Sequence, residues 1–140
     1  MFNTIRTQLK AVLTTLTGAG KLSIVYEYHE GNLASFPAAT FDVSDVSNDF
    51  LTNAENVRQY SWKVFVYQDI QTGVVTLADA VRILDNVCDD IIQAIETNLT
   101  INNTCDYSRP AVGPRMFMQS PQGEMLVQEL TIITVTSALV

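Results

Sequence analysis

Histidine and tryptophan each occur once in this sequence, cysteine twice, and no run of 18 uninterrupted apolar residues is present. Each scarcity narrows the chemistry. A zinc site needs three or four ligands at compatible spacing, which one His29 and the distant Cys88 and Cys105 do not supply. Cysteine–histidine catalysis would require His29 to meet a thiol, yet Cys88 falls on an apolar helical stripe, where a thiol behaves as a small hydrophobe. Neither a metal nor a cofactor is expected. The lack of a long apolar run argues against a spanning helix, and Asn3, Arg6, Gln8 and Lys10 break up the N-terminal stretch where a secretory leader would be continuous. The expectation is a cytoplasmic protein with both cysteines unpaired.

Charge is also sparse. Only 16% of the 140 residues are charged against 47% hydrophobic, whereas soluble domains average about 25% charged. That composition suits one domain whose surface is partly hidden against copies or partners. Eight basic residues face fifteen acidic ones, for a net charge of −7 and a pI near 4.4. Such a balance disfavours a nucleic-acid binder that neutralises phosphates with lysine and arginine. In a ring, the same charge would line a channel through which another polyanion slides without sticking.

One stretch, TGAGKLS at 17–23, uses the vocabulary of a phosphate-binding loop. The motif requires G-x-x-x-x-G-K-[S/T] between a strand and a helix. Here Thr15 stands at the first glycine position and Leu22 follows the lysine. Apolar residues Phe2, Ile5, Leu9, Val12, Leu13 and Leu16 precede it at helical spacing, and alternating Leu22, Ile24, Tyr26 and Tyr28 follow. The order is helix, turn, strand, and a helix C-terminus repels phosphate. Gly18 or Gly20 is read as the left-handed residue that stops the helix.

The remaining punctuation predicts a first helix over about 2–17 capped by Asn3 or Thr4, a strand over 21–28, and a second over 35–43 that is an edge or begins beyond Pro37. Residues 44–57 show neither period and predict a long loop containing Asp45, Asp49, Phe50 and Glu55. YSWKVFVYQDI predicts a strand with Tyr60, Trp62, Val64 and Val66 on one face. Leu77, Ala80, Val81, Leu84, Val87, Cys88, Ile91 and Ile95 predict a second helix over 76–97, with Thr76 and Asp79 as a capping pair. Asp85, Asp89 and Asp90 on it read as a solvated face. A second long loop is expected over 98–122, where Arg109 and Arg115 flank two prolines and Phe117 sits in a short apolar run. EMLVQELTIITVT, apolar on both faces, predicts a final strand that is central in the sheet or covered twice. The sum is an α+β fold in the order α-β-β-β-α-β-β, a mainly antiparallel sheet of four or five strands with two helices packed on one face.

In layout, the chain resembles the tail terminator (tail completion) proteins of long-tailed bacteriophages across nearly its whole length. The pieces that carry the resemblance are the N-terminal helix, the strand ending near Phe36-Pro37, NVRQYSWKVFVYQDI with Asn56 and Arg58 ahead of the aromatic run, ADAVRILDNVCDDIIQAI, and the closing GEMLVQELTIITV. The resemblance implies a non-enzymatic virion protein assembled in the host cytoplasm. It would form a ring, usually of six copies, that seats on the tail tube, stops its polymerisation and offers a surface for head joining. Implied partners are other copies, the tail tube protein and a neck protein, with DNA passing through the channel without specific binding and no membrane involved. Interface candidates are Asp45, Asp49, Phe50, Glu55, Arg58, Arg109, Arg115 and Phe117. Other neck or minor tail proteins share this size and layout. From a different class, a small α+β ligand-binding domain or cofactor-free enzyme is the alternative.

Overall fold

The computed structural model describes residues 2–50, 55–70, 74–120 and 123–139, with the backbone alone at 49, 50, 55, 56, 120, 138 and 139. The element order is α1 (Phe2–Gly18), β1 (Ile24–Tyr26), β2 (Ala38–Phe50), β3 (Glu55–Asp69), α2 (Leu77–Glu96), β4 (Tyr107–Ser120) and β5 (Gly123–Leu139). The strands form one sheet in the spatial order β1-β2-β3-β5-β4. Only β1 and β2 are parallel; the other neighbours are antiparallel. This is an α+β fold.

α1 buries Ile5, Leu9, Val12, Leu13 and Leu16, the apolar stripe of the sequence. The helix already begins at Phe2, so Asn3 and Thr4 lie inside it and neither caps it. Gly20 takes the left-handed conformation at φ 78°, and the amides of Lys21 and Leu22 donate back to the Leu16 carbonyl at 2.9 and 3.2 Å. Those bonds satisfy a carbonyl that the helix end would otherwise leave without a donor.

α2 starts on Thr76, whose hydroxyl accepts from the Asp79 amide at 3.2 Å while the Asp79 carboxylate accepts from the Thr76 amide at 3.4 Å. Aspartate therefore closes the capping box here as glutamate usually does. The helix buries Ala80, Leu84, Val87, Cys88, Ile91 and Ile95. Both helices pack on the face of the sheet that carries Ala39, Phe41, Tyr60, Trp62, Val64, Val66, Leu126, Leu130 and Ile132. The Trp62 indole donates to the Thr134 hydroxyl at 3.2 Å, so its one polar group is partnered inside the core. On the opposite face a smaller cluster joins Leu33, Ala38, Met125 and Val127, with Phe65 and Tyr67 against it.

The two expected loops are mainly strand. Residues 44–50 continue β2, and 55–57 begin β3, in a hairpin whose turn lies outside the described residues. A bulge between Val43 and Asp45 hides the alternation. Phe41 and Val43 face the helices before it and Val46 does so after it, because the extra residue shifts every later side chain by one. The second expected loop holds β4 from Tyr107 onward, with its own break between Val112 and Arg115. Pro110 and Pro114 are tolerated because β4 is an outer strand, where a missing N–H costs no ladder bond. At Gly113 an added Cβ would come within 2.5 Å of the Glu129 carboxylate and 3.1 Å of the Glu129 carbonyl, so the strands pass close here and a side chain would have to push Glu129 aside. Strand β2 starts beyond Pro37, and β5 lies between β3 and β4, as the sequence predicts.

Candidate functional site

The long strands place the interface candidates at two ends of one sheet. The hairpin joining β2 and β3 lies at the same end as the start of β4, since Asp45 pairs with Ser61, Ser61 with Ile133 and Ile133 with Arg109. The other hairpin, with Phe117 opposite Leu126 and Ser120 opposite Gly123, lies at the far end. Asp45, Arg58 and Arg109 thus belong to one end, and Arg115 and Phe117 to the other.

Asp45 and Arg109 are both exposed; Arg109 is on the outer strand β4, and Asp45 is on the part of β2 beyond Thr40, the last residue that pairs with the outermost strand β1. Each is on the face opposite the helices, because its neighbours Val46 and, across the ladder, Ile132 belong to the helix-side core. Arg58 stands between Asn48 and Thr136 and is half-buried. The side chains of Asp49, Phe50 and Glu55 lie outside the described residues; their backbones form the last rungs, opposite Val57, Asn56 and Leu139. Arg115 is tied down. It reaches across to α2 and pairs with Asp85 at 2.7 Å, while its Nε donates to the Gln128 side chain at 2.8 Å. It serves as a brace between β4 and α2.

Phe117 is 64% exposed and Met116 and Met118 stand beside it at 42% and 37%, with Val112 further along the strand at 69%. The strand alternation puts Phe117 on the helix side and the two methionines on the other, so the outer half of β4 is apolar on both faces. An exposed apolar cluster on one edge strand marks a contact surface more often than scattered single residues do.

Three groupings escape the sequence. Arg6, on the polar side of α1, donates to the Glu27 carbonyl at 2.5 Å and to Asp42 at 2.7 Å, with its guanidinium 5.3 Å from the centre of the Trp62 ring. Burial opposes ionisation of Asp42, but the Arg6 hydrogen bond, the Val43 amide and the Arg6 charge outweigh it and hold the carboxyl below its ordinary 3.8. Lys63 and Glu129 pair at 3.4 Å in the middle of the open face. Asp90 pairs with Lys21 at 3.3 Å, so two of the three helix aspartates are engaged rather than merely solvated.

Chemistry of the reactive kind does not converge. Burial pushes the Cys88 thiol up to about 12 and the Cys105 thiol up to about 11. Both are free thiols. His29 meets the Thr40 hydroxyl at 3.1 Å and the edge of Phe65. Among the described residues, no three histidine, cysteine, aspartate or glutamate side chains gather where they could hold a metal ion, and no helix is long and apolar enough to cross a membrane. One cleft of about 600 Å³ is lined by Leu33, Phe36, Pro37, Gln68 and Val75 among others, and the buried Gln68 Oε1 has no hydrogen-bond partner among the described residues.

These features define a sheet-and-helix fold whose distinctive surfaces are strand edges and a hairpin end. Comparison with protein-family models gives no match, and comparison with curated proteins gives none either.

Proposed function

We propose that this chain is a structural virion protein of the tail terminator kind: a subunit that repeats around the end of a phage tail tube, stops its polymerisation and presents a surface for head joining. The observation that carries the reading is the long outer strand β4, where Val112, Met116, Phe117 and Met118 stand 37% to 69% exposed, together with the length of β2 that runs beyond β1. A free monomer gains nothing from such a surface, whereas a subunit closed into a ring covers it and protects its strand edges. The net charge of −7 suits a passage for DNA that must not bind it. Partners on this reading are other copies, the tube protein and a neck protein, and the site of action is the virion tail.

Electron microscopy of particles assembled without this protein is the test. Tubes of abnormal, uncontrolled length without heads are expected. Tubes of normal length lacking heads would instead indicate a neck or connector role, and intact particles would end the proposal. A second reading, a small ligand-binding domain, is favoured by the unpartnered Gln68 Oε1 beside the 600 Å³ cleft. Thermal shift across a metabolite panel separates it, since saturable stabilisation lost in Gln68→Leu belongs to that reading alone.

A further inference from the structure

Asp45 and Arg109 lie on the same rung of the sheet, Arg109 on the outer strand β4 and Asp45 on the stretch of β2 that runs past its pairing with β1 at Ala38, Ala39 and Thr40. The rung runs Asp45, Ser61, Ile133, Arg109, and the next runs Ser47, Gln59, Val135, Tyr107. Both charged residues are exposed, both are on the helix-free face, and neither forms an ion pair with any described residue. Counting antiparallel steps from β2 through β3 and β5 to β4 shows that the two margins run in opposite directions. Copies set side by side without turning over therefore bring β4 of one antiparallel to β2 of the next.

We infer that this chain associates with itself head to tail through these margins, with Asp45 of one copy against Arg109 of the next and Ser47 against Tyr107. The inference deepens the ring reading and rests on it in one respect: a closed ring has no rise along its axis, so with that axis along the strands, rungs of equal height meet.

The signs of the charges select this arrangement. A two-fold contact of β2 with β2 centred on this rung sets Asp45 against its own equivalent, and one of β4 with β4 centred there does the same to Arg109; each opposes like charges. Only the unlike margins attract. The contact runs through side chains rather than a continued ladder. Ser108 is buried, Pro110 has no N–H to offer, and the Val43 amide already donates to Asp42 at 2.8 Å. Tyr107, 52% exposed, and Arg109 reach outward on either side of Ser108.

Sedimentation of the intact chain, alone and with tail tubes, combined with two sets of variants, tests the contact. Asp45→Arg and Arg109→Asp singly are expected to weaken association about tenfold, and the double reversal to restore it. Asp45→Cys with Arg109→Cys should give disulfide-linked multimers on mild oxidation, because the proposed contact sets these two side chains against each other, within reach of a bridge. Neither single cysteine variant should form a chain of more than two copies. Wild-type rings that ignore both reversals and give no cross-linked multimers would overturn this contact and leave the ring reading standing. A species that stops at two copies would overturn the head-to-tail arrangement. A chain that stays at 15.5 kDa with and without tubes, and whose double-cysteine variant does not cross-link, would overturn both. The native tryptophan signal of each variant establishes that it has folded.

Discussion

Arg6 connects three elements with one side chain. Its guanidinium serves the chain leaving β1, the carboxylate of Asp42 on β2 and the face of Trp62 on β3, at the place where short β1 ends and β2 would otherwise be open. Charge-assisted hydrogen bonds together with a ring contact make Arg6→Ala cost about 2 kcal/mol in urea unfolding. The Asp42 part of that has a pH signature. Its folded value is lowered, so its contribution is fully present above the ordinary 3.8 and is lost as pH falls through the lower folded value. Asp42→Asn should therefore destabilise by about 1 kcal/mol at neutral pH, discounted for partial exposure, and the difference from wild type should vanish in strong acid. A gap independent of pH would show that shape and not charge is responsible. The cysteines make an opposite case: with burial raising both thiols to about 12 and about 11, neither should react with a thiol reagent at pH 8 until the protein unfolds, when both should be counted. Reaction of the native protein at either position would contradict the packing around it.

At the scale of elements, α2 is the main cover of the sheet. Leu84, fully buried in the seam, should cost about 2–5 kcal/mol on replacement by alanine, read as a fall in melting temperature. An unchanged midpoint would mean that the helix presents another face. This element was legible in the sequence down to its cap, because eight apolar residues at spacings of three and four admit one period only. The same holds for β3 and β5. What stayed hidden were β4 and the outer half of β2, and the reason is the same in both. Each strand carries a bulge, between Val43 and Asp45 and between Val112 and Arg115, and an inserted residue inverts the alternation on which strand recognition depends. Pro110, Gly113 and Pro114 added the vocabulary of a loop to what is an edge strand. Of the candidate contact residues, Asp45, Arg109 and Phe117 were recognisable as exposed. Arg115 was not recognisable as a brace, since its partner Asp85 lies on another element thirty residues earlier and no local pattern links them.

Across the whole molecule the two faces of the sheet are unequal. Two helices cover one, and the other has a small cluster around Leu33 and the half-buried Lys63–Glu129 pair. The exposed end of β4 is apolar on both faces and so stands apart from this asymmetry. Phe117→Ser should leave unfolding free energy within about 0.5 kcal/mol of wild type, as surface substitutions do, while reducing attachment to purified tail tubes. A loss of several kcal/mol instead would make Phe117 part of the core and remove it from any contact surface.

Trp62 is the sole tryptophan, with no exposed area and its indole nitrogen bonded within the core, far inside the strand margins. Emission from this protein is therefore a private report from the interior: blue and unquenched by iodide while the chain is folded, red when it is not. Joining of copies at the margins leaves that colour unchanged, so a single optical signal distinguishes a variant that cannot assemble from one that cannot fold.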